Sequence, residues 1–302
     1  MGLNFGVFSL LESSQCIKAS TYNGECSVLT LGRFKNYFSE KQKNYSSKKF
    51  GIPLEAFELY AENILNAIGC TSVKSLDYSD FEGANHIWNL NTSILDSTEG
   101  EHLVNKYNLI LDYGTSEHVF NTAQSIANST TMLKIGGRLN LMLPVCGSSD
   151  HGLYQFSPNW FFSLESEFLE LERLFFYINQ QNSIQFKIWD ALNANFKKHV
   201  DGTFDGSYQA NLLQYINEPV YSFAIFKKKK ELDERKFLQD THQKIYNEFW
   251  NDNKNEERLT NQSLKNKTKV FLESHIPHFI KSFLYKRMIN SATLDISEII
   301  PL

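Results

Sequence analysis

The run Tyr107-Asn108-Leu109-Ile110-Leu111-Asp112-Tyr113-Gly114-Thr115-Ser116-Glu117-His118-Val119-Phe120 decides the reading of this chain. Tyr107–Leu111 is short, mostly apolar and not cleanly alternating, as expected of a strand covered on both faces. Asp112 closes it, Gly114 lets the backbone turn sharply, and Asn121 then caps a helix reaching to about Leu133. Glu117 and His118 are thereby placed near the top of a sheet. Glu and Ser/Thr are also routine at a helix start, so the same residues are open to a purely structural reading.

The pattern repeats outward. Val28–Leu31 is a short apolar run ending at Gly32; Val73–Leu76 ends at Asp77; His86–Trp88 is weaker; Leu139–Leu143 is stopped by Pro144. Leu54, Phe57, Leu65 and Ile68 follow a helical period from Pro53 and stop at Gly69, and Gly136-Gly137 breaks the helix begun at Asn121. Strand, helix, strand, helix predicts an α/β chain with a parallel sheet covered on both faces. Such sheets bind ligands outside the carboxyl ends of their strands, which directs attention to Gly32, Asp77 and Asp112.

Beyond Pro158 the texture changes. Trp160–Tyr177 reads as a helix followed by a strand, residues 179–219 as polar and irregular, and Val220–Phe226 as a strong strand closed by Lys227–Lys230. From Glu231 to about Asn290 the chain reads as charged helix, with apolar stripes through Leu232, Phe237, Ile245, Phe249 and Trp250, and through Val270, Phe271, Phe279, Ile280, Phe283 and Leu284. The expected organisation is a domain over 1–230, in which 179–219 forms an inserted lid, and a helical extension over 231–302.

Composition bounds the function. The 302 residues are 42% hydrophobic and 21% charged, enough for a substantial core. Gly 15 and Pro 6 rule out collagen-like and Pro-rich disordered classes. A net charge of −4 sets nucleic acid low among partners; Lys227–Lys230 and the lysines of 265–269 read more simply as solvated ends and faces. No stretch approaches ~18 consecutive apolar residues, so no membrane span is expected. Val7–Leu11 has no basic stretch before it, as a secretory leader would, and Gly6 stands where a myristoylation signal has Ser or Thr. Cys16, Cys26, Cys70 and Cys146 show no tight spacing and read as reduced thiols in a cytoplasmic protein.

Two further segments carry candidate chemistry. Asp150-His151-Gly152-Leu153-Tyr154-Gln155-Phe156-Ser157-Pro158 follows the fifth strand. Its His151, Tyr154 and Gln155 are expected either to line a substrate pocket or to belong to a loop that plugs into the core through Tyr154 and Phe156. Leu29-Thr30-Leu31-Gly32-Arg33 allows a close backbone approach to a nucleotide, although it is not a G-x-G-x-x-G loop. Asp77 stands where an acid can accept hydrogen bonds from ribose hydroxyls, and acids there also form turns.

Together the segments resemble a class I S-adenosylmethionine-dependent methyltransferase. The resemblance runs over roughly residues 25–165 and is carried by LTLGR at 29–33, Ser75-Leu76-Asp77-Tyr78-Ser79, Phe81-Glu82-Gly83-Ala84, Asn89-Leu90-Asn91, the Asp112–Phe120 segment, Gly136-Gly137-Arg138 and the Asp150–Pro158 segment. It implies a Rossmann-like seven-stranded methyltransferase sheet with helices on both faces, its last strand, Val220–Phe226, inserted antiparallel. It implies S-adenosyl-L-methionine as cofactor. Gly32 and Arg33 would face the methionine moiety, and Asp77, with Tyr78 beside it, would hold the ribose. Gly83, Ala84, Asn89 and Leu90 would flank the adenine; Asp112 and Gly114 would lie beneath the sulfonium.

An alcohol acceptor must lose a proton, for which an imidazole is suited. His151 is the expected base, with His118 the second candidate and Glu117 able to orient an imidazole. Tyr154 and Gln155 are the acceptor-side expectations. No metal-ligand spacing stands out, so no metal is expected. The subgroup resembles methyltransferases of surface-polysaccharide or secondary-metabolite pathways, which implies O-methylation of a sugar or small-molecule hydroxyl. A catalytically silent scaffold of the same fold is the alternative. The C-terminal helices are expected either to cap the core or to make a homodimer.

Overall fold

A computed structural model describes residues 2–178, 182–192, 218–240, 295–296, 299 and 302. The described elements in chain order begin with β1 (Gly2–Asn4), α1 (Phe5–Ser13), α2 (Cys16–Ser20), β2 (Ser27–Leu31), β3 (Lys35–Tyr37), α3 (Glu40–Phe50), α4 (Glu62–Ala67), β4 (Ser72–Asp77) and β5 (His86–Ile87). They continue with α5 (Thr98–Glu101), β6 (Tyr107–Asp112), α6 (Thr122–Met132), β7 (Leu133–Leu141), β8 (Pro144–Cys146), α7 (Pro158–Leu164), β9 (Leu169–Ile178), β10 (Lys187–Asp190), β11 (Val220–Lys228) and α8 (Glu234–Asp240).

The main sheet runs β10-β9-β11-β7-β6-β2-β4-β5, with β8 added against β11. β5, β4, β2, β6 and β7 are mutually parallel, and β11 runs antiparallel to β7 and β9. Among the described residues the expectation of seven strands is thus corrected to nine, because β8 and β10 add themselves to the seven-strand path. β10 falls within the expected lid. Instead of closing over a site it extends the sheet by pairing with β9, and its Trp189 is fully buried rather than free to stack on a substrate. The rest of the lid, including Phe196 and Tyr208, lies outside the described residues, as does the chain from 241 to 294 with its second apolar stripe.

The central strands are apolar on both sides because both faces are covered. Leu29, Leu31, Ile110, Leu139 and Leu141 pack with Ile126, Phe161, Leu164 and Phe237 on the face carrying α6, α7 and α8. Val28, Leu109, Leu111, Phe223 and Ile225 pack with Phe8, Leu10, Ile17, Ile64 and Leu65 on the face carrying α1, α2 and α4. Fully burying a side chain of this size contributes about 1.5–3 kcal/mol, so these two layers supply the main driving force for folding.

The helix expected from Pro53 to Ile68 is interrupted. Only Leu54–Ala56 (as a tight turn) and α4 are helical. Between them the chain is held out by Asn36, whose N–H donates to Leu59 O and whose Nδ2 donates to the carbonyls of Glu58 and Tyr60, and by Ala61 N–H, which donates to Phe34 O. α6 keeps its expected Asn121 cap, the side chain accepting from Gln124 N–H. β7 starts at Leu133, directly after α6, so Gly136-Gly137 lie within a strand rather than after a helix. Lys228 is fully buried and donates to Asn105 Oδ1 at 2.7 Å and Leu133 O at 2.8 Å; Lys230 pairs with Glu167. These two lysines serve the fold.

Candidate functional site

In sheet order the chain leaves β2 toward β4 on one side and reaches β6 on the other, so the crevice between the ends of β2 and β6 is where such a sheet binds ligands. The ends meet there. Thr115 Oγ1 donates to Leu31 O at 2.6 Å, and Gly32 N–H donates to Leu76 O at 2.7 Å. Gly32 adopts φ +77°, and a methyl group on it would lie 3.2 Å from Thr115 Oγ1 and 3.9 Å from Asp77 Oδ2. Only a residue without a side chain keeps this backbone open to a ligand. Asp77 closes β4, its Oδ1 accepting from Tyr78 N–H at 2.6 Å.

Arg33 turns out to be a tie between loops. Its Nε pairs with Glu62 at 2.7 Å, its Nη1 donates to Glu82 O at 2.8 Å, and its guanidinium lies 3.9 Å from the centre of the Tyr60 ring. Gly83 fits beside it, since a methyl there would be 3.3 Å from Arg33 Nη1. Tyr78 is exposed and Ala84 half-buried next to this loop. Asn89 Oδ1 already accepts from the N–H and the Nδ2 of Asn91, at 3.0 and 2.9 Å, so it forms a turn; Leu90 is buried in the core behind it.

At the end of β6, Asp112 is fully buried. Its Oδ1 accepts from the N–H of Thr115 at 2.9 Å and of Ser116 at 3.3 Å, while Oδ2 has no partner. Burial pushes its carboxyl above the usual range despite these bonds. Gly114 turns the chain, and the short turn Ser116–His118 carries Glu117 inward and His118 outward. Glu117 is fully buried, with neither carboxylate oxygen hydrogen-bonded. Burial first, and the charge of Asp112 second, push its carboxyl up to about 8.

The loop after β8 lies on this turn. Leu153 N–H donates to Glu117 O at 2.7 Å, and Gly152, at φ +74°, approaches so closely that a methyl group on it would be 2.8 Å from Glu117 Cγ. His151 consequently faces Glu117: its Nε2 is 3.9 Å from Glu117 Oε1 and is buried, although the side chain as a whole is 43% exposed. The His118 ring stands edge-on to it, centroids 4.9 Å apart, and partial burial, followed by His151, lowers the His118 pKa. Tyr154 donates to Phe120 O at 2.8 Å, Gln155 Oε1 accepts from Ser148 N–H at 3.0 Å, and Phe156 is buried against Trp160. The loop therefore plugs into the core through Phe156 and presents His151, and Tyr154 and Gln155 are first of all its anchors.

The structure brings Glu117, His118 and His151 together in one group and Gly32, Asp77, Asp112 and Gly114 along one rim; Asn89 and Leu90 serve the loop beside it. Sequence reasoning missed Thr115, whose signal is a hydroxyl directly after a strand-end glycine, and the Glu62 and Tyr60 partners of Arg33. None of the four cysteines is in a disulfide, and no helix among the described residues is long and apolar enough to cross a membrane.

The path β5-β4-β2-β6-β7-β11-β9, parallel except for β11, is a Rossmann-like α/β sheet with one antiparallel strand, the arrangement that the resemblance implied. No family model and no curated protein matches the chain. Among solved structures, the O-methyltransferase of a trans-AT polyketide synthase multienzyme from Brevibacillus brevis, in complex with S-adenosyl-L-homocysteine, is 11% identical over 79% of this chain and 77% of its own, with a TM-score of 0.37. The YcgJ protein from Bacillus subtilis is 12% identical over 74% of this chain and 99% of its own, at 0.35. The CMeT domain of the citrinin polyketide synthase is 12% identical over 70% of this chain and 48% of its own, at 0.33.

Proposed function

We propose that the protein is an S-adenosyl-L-methionine-dependent methyltransferase acting on a hydroxyl of a small-molecule or sugar acceptor. The observation that carries the reading is the meeting of Gly32 and Thr115 at the mouth of the β2–β6 crevice, with Asp77 on one side and the Glu117–His118–His151 group on the other. The residues fit the cofactor: bare backbone at Gly32, a carboxylate at Asp77 suited to ribose hydroxyls, and a buried Asp112 oxygen without a partner at the sulfonium end.

The cofactor supplies an electrophilic methyl on a positively charged sulfur. The chain's own work is to hold the cofactor over β2, β4 and β6 and to bring the acceptor oxygen in line, which by itself removes much of the barrier. Glu117, His118 and His151 form the end that eases loss of the acceptor proton, and Tyr154 and Gln155 fix the loop carrying His151. The acceptor oxygen would take the methyl, leaving the cofactor as the neutral thioether, and the hydroxyl proton would be taken up at the Glu117–His118–His151 end. Four cysteines outside any disulfide accord with a reducing, cytoplasmic setting, and surface-polysaccharide or secondary-metabolite assembly is the pathway class this acceptor chemistry serves.

The deciding experiment is calorimetric titration with S-adenosyl-L-methionine and S-adenosyl-L-homocysteine. Micromolar binding of either supports the reading and opens a screen of sugar hydroxyls. Folded protein that binds neither overturns it and favours a silent scaffold.

A further inference from the structure

Glu117, His118 and His151 each bring one donor atom into a group whose atoms all lie within 4.8 Å of one another. A carboxylate and two imidazoles are not by themselves a site, but Glu117 adds a second observation. Its side chain is fully buried, points into the group, and neither of its oxygens has a hydrogen-bond partner; His151 Nε2 is buried and unpartnered in the same place. Leaving such groups unmatched costs about 1–3 kcal/mol each, more when charged. A proton on Glu117, even when donated to His151 Nε2, would leave the second carboxylate oxygen unmatched. A cation between them would satisfy all three side chains.

We propose that Glu117, His118 and His151 bind a first-row divalent transition-metal ion. Two imidazoles and one carboxylate form a donor set for ions of the Zn2+, Co2+ and Mn2+ type rather than an all-oxygen cage for Ca2+ or Mg2+. Three protein ligands leave coordination positions open, which is the pattern of catalytic rather than structural sites. Those positions face outward, because Glu117 closes the inner side while His118 is exposed and His151 is half-exposed. Bond lengths of about 2.0–2.2 Å require the donors to draw together. The exposed His118 and half-exposed His151 are the donors that would move, since Glu117 is already held by the Leu153–Glu117 backbone bond and by Gly152. The ligand pair in 117–118 and the single ligand at 151 come from the loops following β6 and β8, so the ion would tie the crevice rim to the loop above it.

The use of the ion rests on the methyl-transfer reading: an open position takes the acceptor oxygen and makes its proton easier to lose. The site itself rests only on geometry. The test uses the full chain, stripped with a chelator and titrated separately with Mn2+, Co2+ and Zn2+ by calorimetry, with Co2+ also followed by its visible absorption. The expected result is one ion per chain at micromolar affinity or tighter, weakened on the order of a hundredfold in both Glu117→Gln and His151→Ala. Should either variant fail to fold, His118→Ala, on the exposed side, gives the same readout. Absence of stoichiometric binding by all three ions, or unchanged binding in the variants, overturns the proposal. S-adenosyl-L-methionine is titrated into the stripped protein in parallel. Metal binding without cofactor binding sinks only the methyl-transfer reading; cofactor binding without metal binding sinks only the metal site.

Discussion

Glu117 Oε1 lies 3.9 Å from His151 Nε2, and the two residues reach that distance from loops far apart in the chain. The group they make with His118 is where acceptor activation is assigned. His151→Ala should lower kcat by about 10²–10⁴-fold while leaving S-adenosyl-L-methionine affinity nearly unchanged. Steady-state kinetics beside calorimetry separate the two quantities. An equal loss in both would make His151 a folding residue instead.

Asp77→Ala should weaken cofactor binding by roughly ten- to a hundredfold, the value of about 1.5–3 kcal/mol for hydrogen bonds to a charged group. The melting temperature should hardly move, because within the fold the carboxylate's hydrogen bond is to the N–H of its own neighbour Tyr78. An unchanged dissociation constant refutes the ribose assignment.

Gly152→Ala should destabilise the chain by about 1–3 kcal/mol, through strain at positive φ and the close approach to Glu117. Gly24→Ala is the control: it shares a positive φ, at +79°, but a methyl there meets nothing within 4 Å. Denaturant unfolding of both variants isolates the packing part. Equal losses would mean that the loop over Glu117 yields freely.

Burial pushes the Glu12 carboxyl up to about 7 from an ordinary 4.5. A carboxyl whose pKa is raised by folding contributes its full stability below the unfolded value and loses it as pH rises through the folded one. Wild-type protein and Glu12→Gln should therefore be equally stable near pH 4, and the variant should become the more stable of the two by pH 8. The gap should reach about 1–2 kcal/mol after solvent screening is allowed for. Thermal melts of the pair across this range give the difference directly, and a gap that does not grow with pH rejects the assignment.

Much of the central sheet is legible in the sequence, because a strand covered on both faces must be apolar on both, and Val28–Leu31, Val73–Leu76 and Tyr107–Leu111 carry that mark within a residue or so at each end. The segment 53–68 was not legible: its apolar period is helical, but the Asn36 bonds that hold it open come from a different part of the chain. β10 was hidden in a polar stretch since an edge strand needs only one neighbour. The site divides in the same way. Strand-end residues such as Gly32, Asp77 and Asp112 announce themselves by position. The grouping of Glu117 and His118 with His151 depends on how a distant loop folds back, and no local spacing encodes that. The resemblance gives Arg33 and Asn89 to the cofactor, whereas their hydrogen bonds show each first serving its own loop.

β11 is the last described strand in the chain, yet it lies inside the sheet, with β7 on one side and β9 on the other. The order of synthesis is therefore not the order of assembly. While the chain is being made, β9 has only β10 to pair with, and β7 waits with one edge open. Both are provided for only when residues 220–228 leave the ribosome. A translation product halted before that point would carry two uncovered edges and an unsealed apolar layer, the kind of species that chaperones hold and proteases remove.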